Sequence, residues 1–82
     1  MPTVVLNREI ARRYTDGETT LTVDGETIRA LINALDARYP GLGAVLRDDM
    51  AVAIDSLIYQ DAEHERVKPE SEVCFLPAIE GG

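Results

Sequence analysis

Only one stretch of this chain carries a sustained helical stripe, and strand-like runs stand on both sides of it. Ile28, Leu31, Ile32, Leu35 and Tyr39 fall at i, i+3, i+4, i+7 and i+11, the spacing that gathers apolar side chains on one face of an α-helix. Thr27 stands in the N-cap position, Arg29, Asn33, Asp36 and Arg38 take the other side, and Pro40-Gly41 stops the pattern. A helix with one apolar face has to cover something, and the flanking segments supply a sheet.

Thr3-Val4-Val5-Leu6 is rich in β-branched residues and reads as a first strand. Asn7 to Arg13 is mixed in polarity and is read either as an extension of that strand or as a loop. Tyr14-Thr15-Asp16-Gly17 carries a turn signal, and beyond it Thr19, Leu21 and Val23 alternate with Thr20 and Thr22, which together predict a first hairpin. After the helix, Leu42 to Leu46 is expected to form a short turn. Met50–Ile54 reads as a third strand, joined through Asp55-Ser56 to Leu57-Ile58-Tyr59. Gln60 to Arg66 is polar and reads as a surface loop, Lys68-Pro69-Glu70-Ser71 as a turn, and Glu72 to Pro77 as the last strand. The class is therefore α+β: one main helix across one face of a mixed sheet of four to five strands, a β-grasp topology. Central places for the first and last strands, side by side, suit their apolar character.

Eighty-two residues suffice for one domain, read as 1–82 with a flexible tail at 78–82. No apolar stretch is long enough to span a bilayer, and Met1-Pro2-Thr3 leads straight into a strand rather than a basic and apolar leader. The single cysteine, Cys74, forms neither an internal disulfide nor a metal framework, and a cytoplasmic location is the default expectation. Fifteen acidic residues against eight basic ones give a net charge of −7. Such a surface repels nucleic acid and anionic lipid, so neither is an expected partner, whereas a basic protein surface is attracted.

The chain ends Leu76-Pro77-Ala78-Ile79-Glu80-Gly81-Gly82, an apolar strand running out into two glycines. That places an α-carboxylate, with an ordinary pKa of about 3.3–3.7, on a tip without side chains. If Val73 and Phe75 face the core, period-2 alternation sends Cys74 and Leu76 to the other face. Leu76 is then either an anchor for a docking partner or a residue covered by the Arg8–Tyr14 segment.

The sequence resembles the bacterial ubiquitin-like sulfur carriers, which include the small subunit of molybdopterin synthase and the thiamine-pathway and cysteine-pathway carriers. The likeness lies in Thr27-Ile28-Arg29-Ala30-Leu31 through Leu35-Asp36-Ala37-Arg38-Tyr39-Pro40-Gly41-Leu42, in Met50-Ala51-Val52-Ala53-Ile54-Asp55, in Val67-Lys68-Pro69-Glu70-Ser71-Glu72-Val73 and in the tail. Pro69-Glu70-Ser71 stands where the family usually has Asp-Gly. The N-terminal third lacks the Phe-Ala…Arg-Glu pattern common in molybdopterin synthase small subunits, and Leu76-Pro77-Ala78 stands where those proteins often carry Pro-Pro. The ending is more similar to the cysteine-pathway type, and the pathway served stays open.

The resemblance implies a carrier rather than an enzyme. Gly82 would be adenylated by an ATP-dependent, E1-like activating enzyme and converted by a sulfur donor to a thiocarboxylate, which an acceptor biosynthetic enzyme then uses. Gly81, Glu80 and Ile79 would thread the activating site, and Leu76, Pro77 and Ala78 would dock. No cofactor is expected on the chain itself, the ATP being used by the partner. Two alternatives remain: the molybdopterin synthase small subunit specifically, or a ubiquitin-like modifier or interaction domain. Lys68, the lone lysine, would restrict self-linked chains.

Other reactive residues are read as structural or solvated. His64, in Asp61-Ala62-Glu63-His64-Glu65, has no second histidine to share a metal with. Cys74, between Val73 and Phe75, lacks the base and positive surroundings that a nucleophilic thiol needs. Asp48-Asp49 and Glu63/Glu65 have nothing to position them as acid and base.

Overall fold

The computed structural model describes residues 1–48 and 50–77. Its elements are β1 (Thr3–Val5), α1 (Arg8–Tyr14), β2 (Thr20–Thr22), α2 (Ile28–Arg38), α3 (Leu42–Arg47), β3 (Met50–Ile54), β4 (Leu57–Tyr59), a 3-10 turn (Ala62–His64) and β5 (Glu72–Pro77). The five strands form one mixed sheet in the order β2-β1-β5-β3-β4. β1 and β5 run parallel, with Val4 opposite Val73, and β3 pairs antiparallel with β5 from Met50↔Pro77 to Ile54↔Val73. The last strand therefore lies at the centre with the first beside it, as their composition predicts.

α2 forms where the stripe places it. The Thr27 side chain accepts from the Ala30 backbone N–H at 3.1 Å, satisfying one of the donors that a helix start leaves without a partner. Ile28, Leu31, Ile32 and Leu35 are all 1% exposed or less and meet Val4, Val73 and Phe75 from the sheet. Tyr39, at the C-cap, is half-buried against the same core.

Three segments differ from the sequence reading. Asn7–Arg13 is neither strand nor loop: Asn7 caps α1 by accepting from Ile10 N–H at 2.8 Å, and Ile10 and Ala11 turn into the core. Glu9 in the first turn and Arg12 and Arg13 in the last complement the helix dipole. The first strand pair is thus antiparallel as expected, but α1 lies inside its connection, and Asp16-Gly17 ends the helix rather than making a tight hairpin. Leu42–Leu46 is likewise helical. Leu42 and Leu46, one turn apart, are both buried in α3. The Asp36 carboxylate accepts from Gly41 N–H at 3.1 Å and Gly43 N–H at 2.9 Å, joining the end of α2 to the start of α3. A Cβ at position 43 would sit 2.9 Å from that of Asp36, so the bond to Gly43 requires the missing side chain.

The third segment, Gln60–Arg66, is polar but not merely surface. Ala62 is buried, Glu65 C=O accepts from Ile28 N–H at 3.0 Å, and Val67 N–H donates to Glu26 C=O at 2.9 Å. Glu63 also pairs with Arg47 at 3.2 Å and Arg29 at 3.8 Å. The segment thus fastens the start of α2 to the rest of the fold. Lys68–Ser71 is a turn as read, closed by the Ser71 N–H to Lys68 C=O bond at 3.0 Å.

Candidate functional site

β5 sets the geometry of the site because it is the central strand and the last described element. Its burial alternates: Val73 and Phe75 are fully buried, Cys74 and Leu76 half-buried, and Pro77 exposed. Val73 and Phe75 face the helices, so Cys74 and Leu76 lie on the face that no described helix covers. Leu76 is not among the half-buried side chains that pack on the core, so the Arg8–Tyr14 segment, which buries Ile10 and Ala11 on the other side, does not account for it.

The strand registers continue this surface across the sheet. Cys74 is opposite Val5 on β1 and Ala53 on β3, Ala53 is opposite Ile58 on β4, and Leu76 is opposite Ala51. Partners in register point to the same side, so Val5, Cys74, Ala53 and Ile58 form one apolar row, with Leu76 and Ala51 in the next row toward the C-terminus. Ile58 is 65% exposed, which a core residue would not be. Sequence reading finds Leu76 from alternation along one strand. It misses Val5, Ala53 and Ile58, because only the registers bring them to the same face.

Acidic and polar groups close the far end of this face. Asp55 and Ser56 make the β3–β4 turn with φ of 48° and 75°, and an Asp55 carboxylate oxygen accepts from Glu72 N–H at 2.9 Å. That backbone bond, with the Ser71 hydroxyl and the Lys68 charge, holds the Asp55 carboxyl below its ordinary pKa against a smaller effect of desolvation. The Cys74 thiol moves the other way: burial raises its pKa, and the Glu72 charge adds to the rise. A thiol raised in this way is a poor nucleophile at neutral pH, in line with its reading as structural.

Pro77 ends the described part of β5. Ala78, Ile79, Glu80, Gly81 and Gly82, read as docking, threading and activation positions, lie outside the described residues, as does Asp49. His64 is exposed, and among the described residues no three His, Cys, Asp or Glu side chains gather as a metal site. A recess of about 340 Å³ opens on the helical side between α2, α3 and β3. Its Arg47 and Glu63 are paired with each other, which leaves neither as a free charge for chemistry. No described helix is long and apolar enough to cross a membrane.

A mixed five-stranded sheet with α2 across one face, and with β1 and β5 paired in parallel at its centre, is the β-grasp of ubiquitin-like proteins. The chain belongs to the ThiS family, which matches residues 4–82, and so to a family of ubiquitin-like sulfur carriers. No sequence among the curated proteins matches it. Among solved structures, it is similar to a chain of the Amycolatopsis orientalis BexX/CysO complex, at 24% identity and a TM-score of 0.84 over 100% of both chains. It is also similar to Mycobacterium tuberculosis CysO, at 20% identity and 0.85 over 96% of this chain and 100% of that one. Small archaeal modifier protein 1 from Methanosarcina acetivorans matches at 19% identity and 0.79, over 99% and 95%. At these identities the likeness is one of fold.

Proposed function

We propose that this chain carries sulfur as a C-terminal thiocarboxylate on Gly82. The observation that carries the reading is the junction of a ThiS-family β-grasp with a Gly81-Gly82 end that Ala78-Ile79-Glu80 joins in sequence to the central strand. A carboxylate is a weak electrophile. Attack of its oxygen on the α-phosphorus of ATP, with loss of pyrophosphate, makes an acyl-adenylate whose carbonyl carbon a hydrosulfide can attack. A C–S bond then forms, the C–O bond to AMP breaks, and a thiocarboxylate remains. Glycine at the last two positions lets the tail pass a narrow channel and adopt backbone angles closed to other residues.

The catalytic groups for these steps belong to partners: an adenylating enzyme, a sulfur donor and an acceptor enzyme. The chain's own part is to present the tail and be recognised. The apolar row of the free sheet face, with Leu76 and Pro77 nearest the tail, is the surface that a partner would cover. The structure of a BexX/CysO complex, in which a protein of this fold is found with another protein, supports such recognition.

A second reading, a ubiquitin-like protein modifier, has one supporting observation, the fold shared with an archaeal modifier protein. Both readings need adenylation of Gly82. Carrier-dependent ATP–pyrophosphate exchange by the host's adenylating enzyme tests that shared step, and absence of exchange with the intact chain contradicts both. Isolation of the chain in isopeptide linkage to other proteins, with no thiocarboxylate form, would favour the modifier.

A further inference from the structure

The chain's seven arginines divide into two groups. Arg29 and Arg47 pair with Glu63, and Arg66 pairs with Glu26. Arg38 donates to Thr22 C=O and lies over the Tyr39 ring, and Arg13 lies over the Tyr14 ring. Arg8 and Arg12 make no ion pair, side-chain hydrogen bond or ring contact among the described residues, although the chain carries fifteen acidic groups. They stand one helical turn apart on α1, both exposed, and line a shallow recess with Glu9, Gly17 and Thr19.

They lie toward the end of the sheet at which the described part of β5 finishes. β1 runs parallel to β5 with Val5 opposite Cys74. β1 therefore gives way to α1 at the same end of the sheet from which β5 leads on to Gly82. With Arg8, Glu9, Arg12 and Arg13, α1 carries a charge of +2, so the rest of a chain of net charge −7 carries −9. The end of the sheet from which β5 leads on thus holds the helix with the largest positive charge, +2 on α1 against +1 on each of α2 and α3.

We propose that Arg8 and Arg12 form a second docking element, which receives an acidic side-chain cluster on the adenylating enzyme that takes the tail. This proposal rests on the carrier reading and specifies how the partner is recognised. Apolar contact on the sheet face is non-directional and leaves the carrier free to rotate about its tail. A positive patch on a chain of net charge −7 favours one rotation, since a turn away from the acidic cluster brings like charges together. Guanidinium groups suit the task because each can take a carboxylate with two parallel hydrogen bonds.

The test is carrier-dependent ATP–pyrophosphate exchange by the host's adenylating enzyme with three full-length variants, each checked for its thermal midpoint. Arg8→Glu/Arg12→Glu is expected to raise the KM for the carrier by about tenfold or more at low salt with kcat unchanged, the signature of lost encounter and register. Arg8→Gln/Arg12→Gln, which keeps helix-forming side chains, is expected to raise it by a smaller factor. It should also flatten the rise of KM with NaCl that wild type shows between about 0.05 and 0.3 M. Arg66→Glu, which removes a paired arginine elsewhere on the surface, should leave KM within about twofold of wild type, as expected of a charge outside the contact. Wild-type KM and salt dependence in both Arg8/Arg12 variants, with exchange intact, would overturn the docking element and leave the carrier reading standing. Absence of exchange with the wild-type chain would overturn both.

Discussion

β5 presents two different surfaces one residue apart. Val73 and Phe75 are 0% exposed and locked against α2, whereas Cys74 and Leu76 face outward among Val5, Ala53 and Ile58. The helical face of the sheet is closed by α1, α2 and α3, while no described element covers the other. The same strand therefore contributes to the core through its odd-numbered residues and leaves its even-numbered ones on the face that no described helix covers. Period-2 geometry makes this separation possible, and the consequence is that substitutions a single position apart should act on different properties.

The largest expected effect lies beyond either face. Deletion of Gly81-Gly82 should abolish ATP–pyrophosphate exchange while leaving the thermal midpoint within about 1 °C. The described core ends at Phe75, and substitutions away from core features usually change stability little. Undiminished exchange would show that the tail is not the reacting group, and a fallen midpoint would show that it belongs to the fold.

On the closed face, Leu31→Ala or Leu35→Ala should destabilise by about 2–5 kcal/mol, because both side chains are fully buried and each truncation leaves a cavity. In a small domain this is a large part of the total stability. Urea titration is the check, and a change under about 0.5 kcal/mol at both sites would mean that the helical face does not carry the core.

On the open face, Leu76→Glu should weaken affinity for the adenylating enzyme by about 2 kcal/mol, near thirtyfold in Kd, since a carboxylate would replace an apolar contact that the partner desolvates. Its unfolding free energy should stay within about 0.5 kcal/mol of wild type. A large loss of stability would place Leu76 in the core, and unchanged affinity would move the docking surface elsewhere.

The smallest effect concerns the turn that closes the open face. The Asp55 carboxyl has its pKa lowered in the fold, so the folded state favours the charged form. Its stabilisation is present above the unfolded carboxyl pKa of about 3.9 and is lost as pH falls through the lower folded value. Asp55→Asn keeps an oxygen to accept from Glu72 N–H but cannot titrate, so stability should fall less steeply with acid than in wild type. Urea titrations at neutral pH and near pH 3 make the comparison, and equal slopes would show that the carboxylate is not linked to folding.

How much of this was legible depended on the scale of each signal. α2 could be read in full because its apolar stripe runs for three turns and both ends are marked, by Thr27 and by Pro40-Gly41. α1 and α3 are two turns or less, too short for periodicity to separate them from loop, and their signals are single residues: Asn7 capping Ile10, and Asp36 reaching Gly41 and Gly43. The same limit divided the site. Leu76 followed from alternation along β5, but its neighbours across the sheet depend on registers between residues far apart in the chain, as Ala53↔Cys74 and Val5↔Cys74 are.

The central claim is that Gly82 carries sulfur, and the intact mass of the protein isolated from its native host under non-reducing conditions tests it most directly. The expected spectrum holds a species heavier than the carboxylate form by the difference between one sulfur and one oxygen atom. That increment should localise to the C-terminal peptide and disappear on hydrolysis. A chain found only as the carboxylate, or only in linkage to the lysines of other proteins while its adenylating enzyme is active, would contradict it.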